Sequence, residues 1–254
     1  MTDRGPKVRL FVEAPLAADA AVPLSREQAH YLFTVMRLTQ GSRIAVFNGL
    51  DGEWLAEAAE AGRKSGVLIA RERLRPQTRP RDLHLLFAPV KKARTDFIVE
   101  KACELGCAAV RPVFTRFTNA ERLREDRLRA HMIEAAEQCG FLSVPRLDAP
   151  EKLEKTLDAW GSTRRLLVCD ERRDAPSAAE ALAPFAADRG RDLDPWAILI
   201  GPEGGFSDDE MRRLRAAPFV TRAALGPRVL RADTAAVAAL TLWQSALGDW
   251  RDAR

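Results

Sequence analysis

Short apolar segments alternate with helical segments over the last two thirds of the chain, and this alternation constrains the fold most. Five segments of five to seven residues are predicted as strands: 83–88, 109–114, 165–170, 196–200 and 220–226. Between them, longer segments carry apolar residues at helical spacing. Strands that alternate with helices form a largely parallel sheet covered by helices. The sequence therefore predicts an α/β domain over residues 76–254.

The N-terminal part of the chain has a different pattern, in which β-like segments predominate. The predicted strands are 8–13, 43–48, 53–58 and 66–71, with a hairpin turn at 48–52. The one helical segment, 25–38, has Ser25 as its predicted N-cap. This pattern predicts a small β-barrel domain over residues 1–75, and the Arg- and Pro-rich stretch 72–82 marks the boundary that follows.

Two helices of the α/β domain are predicted from their apolar residues. The apolar line of the helix over 124–139 is Leu128, Met132, Ala135 and Cys139. Its polar stripe is Arg127, His131, Glu134 and Gln138, for which an ordinary solvent-facing side is the favoured interpretation. The last helix is predicted over 233–248.

Several classes of protein are not expected from this sequence. No apolar run approaches the ~18 residues that a membrane span needs. The N-terminal residues carry no apolar stretch of signal-peptide length, so the sequence predicts a cytoplasmic protein without a membrane segment. The four cysteines form no CxxC pair and are predicted to be small buried residues, so no metal site is expected.

Positive charge is concentrated in one stretch of the chain. Residues 71–94 contain eight basic and two acidic residues, a surplus of six where the whole chain has a surplus of four. A stretch of this kind suits a polyanion, because each Lys or Arg that neutralises a phosphate releases counterions. For its core, 75–82, a nucleic-acid contact and a solvated linker remain equally open interpretations.

The segment LIGPEGGFSDDE, residues 199–210, contains a glycine loop between a predicted strand and a predicted helix. Ser207 and Glu210 form a capping box, so a helix begins there and the loop lies at the carboxyl end of a strand, where α/β sheets bind ligands. The loop matches neither GxxxxGK[ST] nor GxGxxG. Glu203 would repel phosphates and favour ribose hydroxyls or a cation, a combination that S-adenosylmethionine offers. The bare motif fits a structural tight turn equally well.

A second loop, LGPRVLRADTAA over residues 225–236, repeats this layout of strand, Gly-Pro turn and helix. Asp233 is the predicted N-cap of its helix. The loop adds two cations, Arg228 and Arg231, that the first loop lacks. Two such loops are expected to line one pocket from two sides.

These two motifs, in this order near the C-terminus, resemble the cofactor loops of the bacterial 16S ribosomal RNA uridine N3-methyltransferases of the SPOUT superfamily. Upstream segments are similar as well, among them KKARTDFIVEKACELG, EAAEQC and HYLFTVMRLTQGSRIAVFNGLDGEW. The similarity covers nearly the whole chain. One departure is visible, because Gly140-Phe141 stands where many members of the family carry an Arg.

The resemblance implies a SPOUT methyltransferase domain over 76–254 with a C-terminal deep trefoil knot, preceded by a PUA-like RNA-binding domain over 1–75. It also implies a homodimer that binds S-adenosylmethionine and acts on a uridine in the decoding region of the small ribosomal subunit. The cofactor residues that it implies are Ile200, Gly201, Pro202, Glu203, Gly204, Gly205, Phe206, Leu225, Gly226, Val229, Leu230 and Thr234.

The expected chemistry centres on uridine N3, which must lose a proton before or during attack on the methyl group. Arg228 and Arg231 are predicted to favour the N3 anion, and Glu203 and Asp233 are the carboxylates considered as proton acceptors besides water. The predicted RNA contacts are Arg9, Arg37, Arg75, Arg79, Lys91, Lys92, Lys101 and Gln138. Two alternatives stay open: a methyltransferase of the same fold that acts on transfer RNA, and a non-catalytic RNA-binding protein.

Overall fold

The computed structural model describes residues 6–119, 123–170, 174–186 and 195–251. The chain divides into two compact units. Unit 1 is Met1–Arg79 with Ala136–Val144, and unit 2 is Pro80–Ala135 with Pro145–Arg254. Segment 136–144 therefore belongs to unit 1 although it lies far from the rest of that unit in the sequence.

Unit 1 is built on a five-stranded sheet with one short helix. Its strands are β1 (Arg9–Phe11), β2 (Ala21–Pro23), β3 (Arg43–Phe47), β4 (Glu53–Ala61) and β5 (Gly66–Arg75), in the order β1-β3-β4-β5-β2. Helix α1 (Arg26–His30) begins at Ser25 with a capping box that Gln28 completes. β1 pairs parallel to β3, and the other pairings are antiparallel.

The N-terminal predictions are confirmed in kind and corrected in extent. The helix predicted over 25–38 is α-helical only to His30 and continues as a π-helical turn over Tyr31–Val35, where the Met36 N–H bonds the Tyr31 carbonyl. β5 extends to Arg75, beyond the predicted end at residue 71. Its last residues are exposed and charged and show no apolar pattern, but their backbone still pairs with β4. β2 was missed because it has three residues and contains Pro23, which an edge strand tolerates.

A buried carboxylate holds two arginines in unit 1. Glu53 is buried, and its oxygens lie 2.6 Å from Nε of Arg9 and 2.7 Å from Nε of Arg75. Burial alone would raise the pKa of Glu53, but hydrogen bonds from Arg75 and Arg9 lower it below its usual range. Glu53 therefore remains an anion, and its two arginine partners offset the free-energy cost of removing its charge from water.

Arg9 also binds the segment 136–144. Its Nη1 donates to the carbonyls of Ala136 and Glu137 at 2.5 and 2.8 Å, and its Nη2 donates to that of Phe141 at 3.1 Å. The guanidinium lies 4.5 Å from the centre of the Phe47 ring. Arg9 is thus fully engaged within unit 1, where it fastens a distant segment of the chain to β1.

Unit 2 contains a seven-stranded sheet whose pairings are all parallel. Its strands are β6 (Leu83–Phe87), β7 (Ala109–Phe114), β8 (Arg146–Leu147), β9 (Glu151–Lys152), β10 (Arg165–Cys169), β11 (Trp196–Ile200) and β12 (Val220–Ala223). The order is β12-β10-β11-β6-β7-β8, and β9 also pairs with β7. The five predicted strands are confirmed as β6, β7, β10, β11 and β12.

Unit 2 has six α-helices in the described part of the chain, five between strands and one after the last strand. They are α2 (Lys92–Glu104), α3 (Glu125–Cys139), which ends in unit 1, α4 (Leu153–Asp158), α5 (Ala178–Ala186), α6 (Asp208–Ala216) and α7 (Ala232–Ala246). α7 packs against α2 and α5. None of the described helices is long and apolar enough to cross a membrane. The implied trefoil knot stays a prediction, because residues 171–173 and 187–194 lie outside the described residues.

Two predictions about α3 are corrected. Cys139 was placed on the apolar line but is exposed at the end of the helix, whereas Leu128, Met132 and Ala135 are buried. The polar stripe is not simply solvent-facing, because Arg127 pairs with Asp96 and His131 lies 2.8 Å from a carboxylate oxygen of Glu100. Their partners lie on α2, where a sequence pattern within α3 cannot reveal them.

We predict that Arg9→Ala lowers the free energy of unfolding by about 3 kcal/mol, since it leaves the buried Glu53 with one cation fewer. Arg73→Ala is the matched control. Arg73 is an exposed residue of β5 whose side chain has no hydrogen-bond or ion-pair partner among the described residues. Urea denaturation followed by circular dichroism measures both. Equal stability of the two variants would contradict the structural role of Arg9.

Candidate active site

A cleft opens at the carboxyl edge of the sheet, where β10, β11 and β12 end side by side. It holds about 650 Å³ of free space, part of which is open to solvent. Its walls are supplied by residues at the end of β10, by the loops that follow β11 and β12, and by the start of the last helix. The lining residues are Cys169, Asp170, Ile200, Gly201, Pro202, Glu203, Gly205, Leu225, Gly226, Arg228, Val229, Leu230, Ala232 and Ala235.

The first loop connects β11 to α6 through a tight turn. The N–H of Gly205 donates to the carbonyl of Pro202 at 2.9 Å, and Gly205 has a φ of 69°, which favours glycine. The tight turn is therefore confirmed. Gly205 also lines the cleft, and the ligand-loop interpretation stays a prediction. Gly204 allows Phe117 to pack closely against the loop, because a Cβ at position 204 would lie 3.1 Å from Cβ of Phe117.

The capping box predicted at the end of this loop is confirmed and has an additional partner. The carboxylate of Glu210 accepts the N–H of Ser207 at 2.8 Å, and the Ser207 hydroxyl accepts the N–H of Glu210. The other carboxylate oxygen of Glu210 accepts the N–H of Arg116 at 2.8 Å. The cap of α6 therefore also holds the segment that carries Phe117 against the first loop.

The second loop connects β12 to α7. Gly226 has a φ of 108°, and a Cβ there would meet no atom within 4 Å. The predicted N-cap of α7 is wrong: Arg231 occupies that position without a side-chain hydrogen bond, and Asp233 is the second residue of the helix. The carboxylate of Asp233 instead accepts the N–H of Thr234 at 2.9 Å. Helix α7 begins one residue earlier than predicted, which moves Asp233 into its first turn.

Arg94 of α2 connects the two loops. Its Nη1 lies 3.0 Å from a carboxylate oxygen of Glu203 in the first loop. Its Nε lies 3.8 Å from a carboxylate oxygen of Asp233, at the end of the second loop. One guanidinium therefore neutralises a carboxylate from each loop and restrains both at the rim of the cleft. In the sequence Arg94 was one of eight basic residues in the charged stretch, and nothing local distinguished it.

Cys169, the last residue of β10, and Asp170, which follows it, were not predicted as cleft residues from the sequence. Asp170 has a completely buried side chain that lies 2.7 Å from Nη2 of Arg222. Burial, helped by the nearby charge of Asp170, raises the pKa of the Cys169 thiol to about 12. Cys169 is therefore a neutral thiol at pH 7 and does not supply a thiolate nucleophile to the cleft.

Most of the predicted cofactor residues line this cleft, and three do not. Phe206 is buried in the core with Met211 and Leu214, so it supports the loop from beneath. Gly204 faces Phe117, and Thr234 is exposed on α7. Of the predicted catalytic residues, Glu203 and Arg228 line the cleft, whereas Arg231 is exposed at the start of α7 and outside its lining.

The predicted RNA contacts fall into two groups. Arg9 and Arg75 bind Glu53 within unit 1, and Lys101 lies 2.5 Å from Glu104 and over the ring of Phe97. The others have exposed side chains without a hydrogen-bond or ion-pair partner in the part of the chain that the structure describes: Arg37, Arg79, Lys91, Lys92 and Gln138. Charge in the sequence thus overstates the number of cations available to a ligand. Among the described residues, no three His, Cys, Asp or Glu side chains are placed to hold a metal ion.

Comparison with protein families defines the class of protein. Residues 77–244 match the family model described as the RNA methyltransferase domain. Residues 24–70 match the model of the RNA methyltransferase PUA domain. Residues 77–244 therefore form an RNA methyltransferase domain, and the cleft at the carboxyl edge lies within it.

Individual relatives narrow this class. A ribosomal RNA small subunit methyltransferase E from Rickettsia conorii is 27% identical over 233 residues, which is 91% of this chain and 93% of the relative. The protein of that name from Synechocystis sp. is 30% identical over 237 residues, covering 91% of this chain and 75% of the relative. The chain belongs to the ribosomal RNA small subunit methyltransferase E family.

A solved structure is similar over the same length. A Legionella pneumophila protein described as a methyltransferase is 28% identical, with a TM-score of 0.82 over 94% of this chain and 97% of that protein. It was solved in complex with its bound cofactor S-adenosylmethionine.

Proposed function

We propose that this chain transfers a methyl group from S-adenosylmethionine to N3 of a uridine in the decoding region of 16S ribosomal RNA. The observation that carries the proposal is the cleft in which the two Gly-Pro loops meet at the carboxyl edge of the sheet. The Legionella structure supports the cofactor, and the shared name of the relatives supports small-subunit ribosomal RNA as the substrate. The choice of uridine N3 rests on the resemblance of the loop motifs.

The residues of the cleft fit this cofactor chemically. Ile200, Leu225 and Leu230 give apolar surface for a purine ring. When bound, S-adenosylmethionine supplies an activated methyl group on a positively charged sulfur, whose departure as a neutral thioether needs no acid.

The demand on the protein therefore lies at the nucleophile. Uridine N3 must release its proton before its lone pair can bond to the methyl carbon, and a nearby cation favours the resulting anion. Arg231, exposed at the N-cap of α7, faces outward where a base can approach, while Arg228 lines the cleft itself. We assign stabilisation of the N3 anion to Arg231 and a cofactor contact to Arg228.

The two candidate carboxylates receive a positioning role. Glu203 and Asp233 both face the guanidinium of Arg94, at 3.0 and 3.8 Å, and so hold the loops together. We propose that water accepts the N3 proton. Formation of a homodimer, which the resemblance implies, stays a prediction.

The proposal is tested by identifying the methylated product. The protein is incubated with methyl-labelled S-adenosylmethionine and three substrates: small-subunit particles lacking the modification, naked 16S ribosomal RNA, and transfer RNA. We expect label in N3-methyluridine at a single position of the 16S RNA, detected by mass spectrometry of nucleosides and mapped fragments. Label in transfer RNA or on a ribose would support the alternative methyltransferase instead, and failure to bind the cofactor would support a pure RNA-binding protein.

Arg231→Ala should lower kcat about 100-fold with little change in cofactor affinity, the pattern of an interaction made mainly in the transition state. Raising the pH should partly restore the rate, because uridine N3 then ionises without help. Arg228→Ala should mainly weaken cofactor binding, since Arg228 lines the cleft.

Calorimetry and steady-state kinetics separate the two effects, with Arg212→Ala as the control for loss of an exposed charge away from the cleft. If Arg231→Ala loses cofactor affinity, keeps kcat at saturation and shows no rescue at high pH, the assignment of Arg231 is wrong.

A further inference from the structure

A second cavity of unit 2, here named the basic groove, lies between the first turns of α2 and α3. It holds about 1140 Å³ of free space, and the residues that matter to its chemistry are Lys91, Lys92, Asp96, Asn119, Arg124 and Arg127. We propose that the basic groove binds the backbone of single-stranded RNA next to the target nucleotide, and that Phe117 stacks on one of its bases. This inference rests on the proposed function and adds a binding site to it.

The charge of the basic groove favours a polyanion. Its wall carries four cations and one carboxylate, Asp96, which is buried and already paired with Arg127. Lys91 and Lys92 are exposed and have no ion-pair partner among the described residues. Arg124 pairs only with Asp126 in the described part of the chain, and their side chains are 71% and 69% exposed, so a phosphate can replace that contact at little cost.

The backbone at one end of the basic groove adds to this preference. Helix α2 begins after Lys91 with no side-chain cap and no acidic residue in its first turn. The positive end of its dipole therefore remains available to an anion. The hydroxyl of Thr95 donates to the carbonyl of Val90 at 2.9 Å and accepts its N–H at 3.1 Å, which fixes the entry to the helix.

The walls of the basic groove are held at a defined separation. Asp96 of α2 binds Arg127 of α3, and Glu100 one turn later lies 2.8 Å from Nδ1 of His131. These contacts join the two helices side by side along the cavity. The groove is therefore present before a ligand arrives, which reduces the entropy lost on binding.

An exposed aromatic ring contacts the first loop and lies close to the basic groove in the sequence. Phe117 is 48% exposed, and its Cβ packs against Gly204 of the first loop. Asn119, two residues later, lines the groove, while Arg94, two residues after Lys92, reaches Glu203 of the cleft. Cations that track a backbone, combined with an aromatic ring for a base, are the features by which proteins bind single strands.

The test measures binding of a labelled uridine-rich single-stranded RNA of about 12 nucleotides over a range of salt concentrations. The double variant Lys91→Ala/Lys92→Ala should weaken binding and reduce the slope of log Kd against log salt by about 1.4, for two phosphate contacts on a single strand. Lys155→Ala/Arg212→Ala removes two exposed charges of unit 2 outside the groove and should leave the slope unchanged.

Variants of Phe117 separate stacking from charge. Phe117→Leu should weaken binding at least fivefold without changing the salt slope, and Phe117→Tyr, which keeps the ring, should bind as the wild type does. The proposal is overturned if the groove variants keep full RNA affinity, or if the groove and control double variants lose the same amount of it. It is also overturned if polyglutamate competes for the protein as well as the RNA does. Cofactor affinity, measured by calorimetry in every variant, should stay constant. If the wild-type protein does not bind the cofactor, the methyltransferase proposal is refuted. The RNA-binding measurements would still show whether the basic groove binds RNA.

Discussion

The order of the parallel strands is the constraint on which the site depends. β10 lies between β11 and β12, and because all three run in the same direction, their carboxyl ends meet at one edge. The loops that follow β11 and β12 are about 25 residues apart in the sequence, yet they form two walls of one cleft. The parallel pairing thus brings two similar turn motifs, distant in the sequence, to the walls of a single cleft.

The sequence predicted this arrangement where the signal was local. The apolar strands, the Ser207 cap and the two Gly-Pro loops are each defined by neighbouring residues, and the structure contains all of them. The N-cap of α7 was predicted at Asp233 but lies two residues earlier, at Arg231. A capping residue and an acidic residue in the first turn of a helix look alike in a sequence. Short elements such as β2 and β8 have too few residues to show a periodicity.

What the sequence could not predict are contacts between distant residues. Arg75 and Arg94 belong to the same charged stretch as Lys91 and Lys92, but only the structure assigns carboxylate partners to them and to Arg9. Arg9 and Arg75 hold segment 136–144 in place, and Arg94 holds the two loops. The lysines remain available for a ligand. Asp170 and Cys169 were missed for the same reason, since their place in the cleft depends on the neighbours of β10 in the sheet.

We propose that the two Gly-Pro loops form one site for S-adenosylmethionine, restrained by Arg94. Hydrogen exchange with and without the cofactor, resolved to residues 201–205 and 225–230, tests this proposal. We expect both loops to gain protection together and at the same cofactor concentration, and Arg94→Met to need a higher concentration for both. Protection of only one loop, or of neither at a concentration that saturates binding, would contradict it.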